Sequence, residues 1–253
     1  MTPLVRLLAG LAISALVATA AFAQTITPAQ RSEIESVIRE YLLKHPEVLE
    51  EAMRELEKRQ TAAEADKARK AIKDNAQTLF NSPRQVTIGN PKGDVTMVEF
   101  FDYNCGYCKR ALGDMLDMMK ADPNLRVVLK EFPVLGQGSA EAAQVAVAAS
   151  LQDKSGRKYL DFHQKLLSGR GSADKARALA AAKEAGFDMA RLEKDLANPE
   201  VKATIEENLK LAETLGVNGT PSYVVGSDLV IGAVGRDALK EKVNTARCGK
   251  AIC

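Results

Sequence analysis

The chain of 253 residues has no tryptophan, and aromatic residues make up 5% of it, which by itself says little about function. Histidine is scarcer still: His45 and His163 stand in unrelated contexts. A zinc site built on one cysteine pair needs a second Cys or His pair at suitable spacing. The histidines do not supply one, and the remaining cysteines lie at the far C-terminus. No metal site is expected. An excess of charge is also lacking, with 35 basic residues against 33 acidic ones. That balance gives no sign of nucleic-acid or acidic-lipid binding. Long apolar runs are absent beyond the stretch Leu7 to Ala23, which is short of the roughly 20 residues a membrane helix requires.

That stretch reads as a secretory leader, residues 1–23. Arg6 supplies the positive start, Leu7 to Val17 the apolar part, and Ala21-Phe22-Ala23 the small-x-small cleavage site. Cleavage after Ala23 removes Arg6 and takes the formal charge from +2 to +1. An exported, periplasmic location changes what four cysteines mean. Outside the cytosol disulfides persist, and enzymes that make or reshuffle them are needed.

Cys105-Gly106-Tyr107-Cys108 is the most informative segment. Val95 to Phe101 before it is rich in β-branched and aromatic residues, as a buried strand should be. Leu112, Met115, Leu116 and Met119 after it recur at helical spacing. Two cysteines three apart at a helix start share one face and can close a disulfide. The first sulfur meets the positive end of the helix dipole, which favours a thiolate. A strand–CxxC–helix context is what the redox motif demands, and it favours redox chemistry over zinc.

The first segment after the leader is helical. Thr27, Pro28 and Gln30 form a capping-box start, and Ile34, Val37, Ile38, Tyr41 and Leu42 form an apolar stripe. His45-Pro46 interrupts it, and His45 reads as a turn or cap residue. A second helix carries Val48, Leu49, Ala52, Met53 and Leu56. Two short amphipathic helices bury little alone, so they must pack on the main domain or on a second copy. From Glu57 to Asn75 large apolar residues nearly vanish, which predicts an exposed helix or spacer. The main domain is expected from residue 81. Strands are predicted at 85–88, 95–101 and 125–132, and helices at 138–152, 157–168, 173–185 and 188–196. A further helix to about 215, a hairpin of 223–225 and 229–234, and a last helix to about 246 complete it.

Three elements together give the chain a family resemblance: Glu99-Phe-Phe-Asp-Tyr-Asn-Cys-Gly-Tyr-Cys108, Lys130-Glu-Phe-Pro133 and Gly219-Thr-Pro-Ser-Tyr223. From about Asn81 to Ala246 the chain resembles the DsbA family of thioredoxin-fold thiol:disulfide oxidoreductases. The segment 42–52 resembles the N-terminal part of the suppressor-of-copper-sensitivity C (ScsC) proteins. The resemblance implies an α/β thioredoxin fold with an inserted helical block, about 137–200, preceded by an N-terminal helical stalk at 24–80. It implies catalysis by Cys105 as nucleophile and Cys108 as resolving thiol, with no cofactor beyond that redox disulfide. It also implies that Thr220-Pro221 is a cis-proline loop facing the pair, binding a client strand together with Gly106 and Tyr107. Glu99 stands where related proteins bury an acid below the pair, and is assigned to proton transfer. Lys130 either pairs with it or serves at the surface.

Gly106-Tyr107 departs from the Pro-His dipeptide of the strong oxidase DsbA. It matches the isomerase DsbC, as does a threonine before the cis-proline. The resulting expectation is a disulfide isomerase or reductase acting on misfolded periplasmic proteins. Its helical segment, residues 24–60, would build a homo-oligomer of two or three chains, and a membrane thiol reductase would keep it reduced. A DsbA-type thiol oxidase and a Cu(I)-binding copper-tolerance protein are the alternatives. Cys248 and Cys253 read as a local structural disulfide, the alternative being a second redox or metal-binding pair.

Overall fold

A computed structural model describes residues 27–153 and 155–253; the expected leader lies outside them. Helix α1 (Pro28–Lys44) opens with the expected capping box. The Gln30 N–H donates to Thr27 Oγ1 (3.3 Å), and the Thr27 N–H donates to Gln30 Oε1 (3.0 Å). His45 closes it, its N–H donating to the Tyr41 carbonyl and its Nδ1 lying 3.0 Å from Glu47 Oε1. Helix α2 (Glu47–Asp74) follows, and runs unbroken through the segment expected to be an exposed helix or spacer.

The chain divides into two compact units after Glu57. The physical reason lies in two apolar side chains. Ile72 at the end of α2 and Leu79 of α3 (Ala76–Asn81) are buried in the core of the second unit. In the first unit, Ile34, Val37, Ile38 and Tyr41 of α1 and Leu49, Met53 and Leu56 of α2 are exposed.

The second unit is built on β1 (Val86–Gly89), β2 (Val95–Phe101) and β3 (Leu125–Glu131), with α4 (Gly106–Ala121) between the last two. Helices α5 (Gln137–Ser150), α6 (Arg157–Ser168), α7 (Lys175–Glu184) and α8 (Met189–Asp195) form the inserted block. Then come α9 (Pro199–Leu215), the hairpin β4 (Ser222–Val225) and β5 (Asp228–Ile231), and α10 (Arg236–Cys248). The sheet order is β1-β3-β2-β4-β5. Only the β2–β3 pair among these is parallel, joined by α4 as a crossover. The expected α/β thioredoxin fold with an inserted helical block and N-terminal helices is what the chain adopts. The second hairpin strand ends at Ile231, short of the expected 234. Gly232 turns the chain at φ +90° and donates its N–H to the Pro221 carbonyl.

The period of two along the strands sorts side chains to two cores. Met97, Phe101, Val127, Leu129, Tyr223 and Val225 face a core shared with α4, α10 and the inserted helices. Val98, Phe100, Val128 and Val224 face the other, with Leu79, Phe132, Leu211 and Leu215. Each such side chain stabilises the fold by about 1.5–3 kcal/mol through apolar burial. Strand β2, paired on both sides and covered on both faces, is the rigid base for whatever follows Phe101.

Candidate active site

The chain leaves β2 through Asp102, Tyr103 and Asn104 and enters α4 at Cys105, the N-cap residue. Ala111, Leu112, Met115 and Met118 bury one face of α4 and fix its start. Asp102 fixes the turn before it. Its Oδ1 accepts the Asn104 N–H (2.7 Å) and the Ser139 hydroxyl (2.7 Å). Its Oδ2 accepts the N–H groups of Val134 (2.9 Å) and Leu135 (3.0 Å). One buried carboxylate thus holds the CxxC turn, the loop after β3 and the start of α5 together. Asn104 adds a tie to the inserted block: its Oδ1 accepts the Ala173 N–H (2.6 Å) and its Nδ2 donates to the Ala173 carbonyl (2.8 Å).

Cys105 and Cys108 are both free thiols. Cys105 was expected to turn its sulfur to the positive end of the helix dipole. Instead it is 7% exposed, makes no side-chain cap, and donates from Sγ to the Thr220 carbonyl at 3.2 Å. The reason is the loop opposite, where Thr220-Pro221 is cis and aims that carbonyl at the sulfur. Cys108 is 1% exposed, and burial foremost raises its thiol far above the ordinary range, with the nearby Glu99 and Cys105 adding to it. A side chain at Gly106 would enter open space, and Tyr107 is 59% exposed beneath the Arg110 guanidinium, 4.3 Å from its ring centre. Val134 and Leu135 are exposed as well.

Glu99 is 3% exposed on the sheet face that carries Met97 and Phe101. Burial lifts its carboxyl from the ordinary 4.5 to about 8, while the Tyr223 hydroxyl across the β2–β4 ladder pulls it down. A carboxyl that titrates at about 8 can hold or give up a proton at neutral pH. Neither reading of Lys130 holds, since it is fully buried and does not pair with Glu99. Lys130 is in register with Phe100, so it points to the opposite face, where its Nζ donates to the Thr78 carbonyl at 3.1 Å. Burial lowers its ammonium to about 8, partly offset by the charge of Glu207.

Sequence reasoning missed a buried polar cluster beside this site. Glu131 Oε1 accepts the Tyr159 hydroxyl at 2.5 Å and the Tyr103 hydroxyl at 3.2 Å, and His163 Nδ1 lies 3.3 Å from the Tyr103 hydroxyl. Burial raises Glu131 well above the carboxylate range and lowers His163 to about 3. Both shifts favour the uncharged form of the group. The members of the cluster come from β2–α4, β3 and α6, and no local spacing joins them in the sequence.

Residues 96–244 match the DSBA-like thioredoxin domain family, a span containing Glu99, Cys105, Cys108, Thr220 and Pro221. The chain belongs to that family. Residues 30–63 match the N-terminal domain of the copper resistance protein ScsC. A thioredoxin-like oxidoreductase from Silicibacter pomeroyi DSS-3 is 46% identical over 68% of this chain and 96% of its own, with a TM-score of 0.64. Proteus mirabilis ScsC in a transitional conformation is 30% identical over 88% of this chain and 99% of its own, with a TM-score of 0.65. The Na(+)/H(+) antiporter NhaA 1 of Salinispora arenicola (strain CNS-205) is 27% identical over 164 residues, 65% of this chain and 25% of the antiporter. The chain thus spans about a quarter of the length of that curated relative. In this DSBA-like domain the free thiol pair sits at the helix start opposite the cis-proline loop. Cys248 and Cys253 lie beyond the matched span and are joined to each other, with Cα atoms 6.3 Å apart. Among the described residues, no helix is long and apolar enough to cross a membrane, and no group of three or more His, Cys, Asp or Glu could hold a metal ion.

Proposed function

We propose that the chain is an exported thiol:disulfide oxidoreductase that reduces or isomerises disulfides of misfolded periplasmic proteins. The observation that carries this reading is the Cys105 sulfur held against the Thr220 carbonyl, beside the cis bond to Pro221. A client strand laid along that loop would bring its own sulfur to the place where Cys105 already points. The Cys105 thiolate attacks one client sulfur, forming a mixed disulfide and releasing the other client sulfur as thiolate. In isomerisation that thiolate attacks elsewhere in the client, and Cys105 leaves reduced. In reduction Cys108 attacks Cys105, the second client thiol departs, and two electrons have passed from the pair to the client. Cys108 must lose its proton for that step, and Glu99 is the carboxyl that takes it.

An isomerase gains from several sites facing one client. The exposed stripe of Ile34, Val37, Ile38 and Tyr41 with Leu49, Met53 and Leu56 supports self-association of the N-terminal unit, in two or three copies. Continued reduction requires a two-electron donor, for which a membrane thiol reductase is the class expected of an exported protein. The test is recovery of activity from scrambled ribonuclease by the full chain, compared with a chain carrying Ile38→Asp, Leu49→Asp and Met53→Asp. We expect recovery by the first and loss of both oligomer and recovery in the second. A folded full chain that recovers nothing overturns the isomerase reading. The redox state of Cys105 in intact cells then separates a reductase from a DsbA-type oxidase.

A second reading, Cu(I) sequestration by the Cys105 and Cys108 thiolates, is favoured by the match of residues 30–63 to a copper resistance protein. Titration of Cu(I) into the full chain, Cys105→Ser and Cys108→Ser tests it. Equal uptake by all three refutes it.

A further inference from the structure

The segment that enters β4 meets the outer sulfur, and β4 itself lies beside the buried acid below the pair. Thr220, just before it, presents its carbonyl to Cys105, and Tyr223, three residues on, lies directly opposite Glu99 in the β2–β4 register. Tyr223 is 1% exposed, so its hydroxyl has no bulk water to turn to. Cross-strand pairing puts the two side chains on the same face of the sheet, and the charges of Glu99, Cys108 and Asp114 all bear on the Tyr223 hydroxyl. Asp114 stands on α4, half-buried, two turns beyond Cys108. The other elements around Glu99 are apolar at this point: β3 places Leu129 beside it, and α10 sends Leu239 and Val243 into the same core. Lys130 is on the far face of the sheet. A phenol is a donor that stabilises the ionised carboxylate more than the acid.

Building on the oxidoreductase reading above, we propose that Tyr223 is a positioning residue that sets the proton affinity of Glu99 and thereby the pH at which Cys108 resolves a mixed disulfide. In that step Cys108 attacks Cys105 Sγ, the client sulfur leaves as thiolate, and the Cys108 proton passes to Glu99. Proton acceptance needs Glu99 ionised, so resolution speeds up as pH rises through the Glu99 transition. Tyr223 keeps that transition lower than burial alone would place it.

The test uses the full chain loaded at Cys105 with a fluorescent peptide thiol, and follows peptide release from pH 5 to pH 10. The wild type is expected to show an inflection that Glu99→Gln abolishes. Tyr223→Phe, which keeps the ring and removes the donor, is expected to move the inflection up by about one pH unit. Site-specific 3-fluorotyrosine at 223, a stronger donor of the same shape, is expected to move it down, and it covers the case in which the phenylalanine variant fails to fold. A purely structural tyrosine would lower the melting temperature and leave the inflection in place. Inflections that coincide across all folded Tyr223 variants overturn the proposal while leaving the oxidoreductase reading intact. No peptide release from the wild type at any pH overturns both.

Discussion

Replacing Glu99 by glutamine removes a titrating group and keeps its volume and shape. In the folded chain that carboxyl titrates at about 8, against an ordinary 4.5, with burial as the main cause. The folded state binds its proton more tightly than the unfolded state does. Stability is therefore complete below pH 4.5 and falls as pH rises through 8, because unfolding releases a proton that the fold retains. Between pH 5 and pH 8 this one group costs the wild type about 4 kcal/mol, since each pH unit in that window contributes about 1.4 kcal/mol. The neutral amide carries no such penalty. Urea unfolding of the reduced protein and of Glu99→Gln, at half-unit steps from pH 5 to pH 9, isolates the effect, since every other group is common to both curves. We expect the difference between them to grow by about 4 kcal/mol in favour of the variant, most of it between pH 5 and 8. Curves that stay parallel within about 1 kcal/mol would mean that Glu99 is hydrated or paired, and the proton-carrying role would fail with them.

Lys130→Met should show the opposite slope. The ammonium is lowered to about 8 by burial, so wild-type stability is lost as pH falls through 8, and the variant should gain on it by about 2 kcal/mol between pH 10 and 7 in the same unfolding assay. Asp102→Ala removes the acceptor for three backbone N–H groups and the Ser139 hydroxyl, and should cost about 2–4 kcal/mol. Hydrogen exchange should find the Val134 and Leu135 amides unprotected in that variant while the β2 amides stay protected. Tyr159→Phe takes the shorter hydrogen bond from Glu131 and should destabilise the fold by about 1–3 kcal/mol in denaturant titrations. Cys248→Ser with Cys253→Ser opens a short loop, so thermal unfolding should show a loss of about 2 kcal/mol and disulfide exchange should be unchanged.

The catalytic neighbourhood was legible because its signals are local. Strand, CxxC and helix adjoin in sequence, and the Gly-Thr-Pro-Ser-Tyr run marks the facing loop. What escaped depends on pairing between distant segments. Tyr223 stands opposite Glu99, and Glu131 meets Tyr103 and Tyr159, only because of strand register and the docking of α6. The end of α2 escaped for another reason. Within an alanine- and charge-rich run, Ile72 is a single apolar residue, too little to announce a docked face, yet it is buried. The cover over Cys105 was equally out of reach, because the loop that meets its sulfur arrives from 115 residues away.

The missing Glu99–Lys130 pair shows how much depends on one residue of register. Two buried groups of opposite charge lie on adjacent strands, and the parallel β2–β3 ladder sets Glu99 beside Leu129 and Lys130 beside Phe100. A slip of one residue would put them on one face as an ion pair, each holding the other charged. Glu99 would then remain ionised down to acid pH and would be too weak a base to accept a proton from a thiol as strongly raised as Cys108. Kept apart by the sheet, each group instead titrates at about 8, within reach of neutral pH. The fold keeps a buried carboxyl without a counter-ion, and the inner sulfur thereby has a neighbour whose proton affinity is closer to its own.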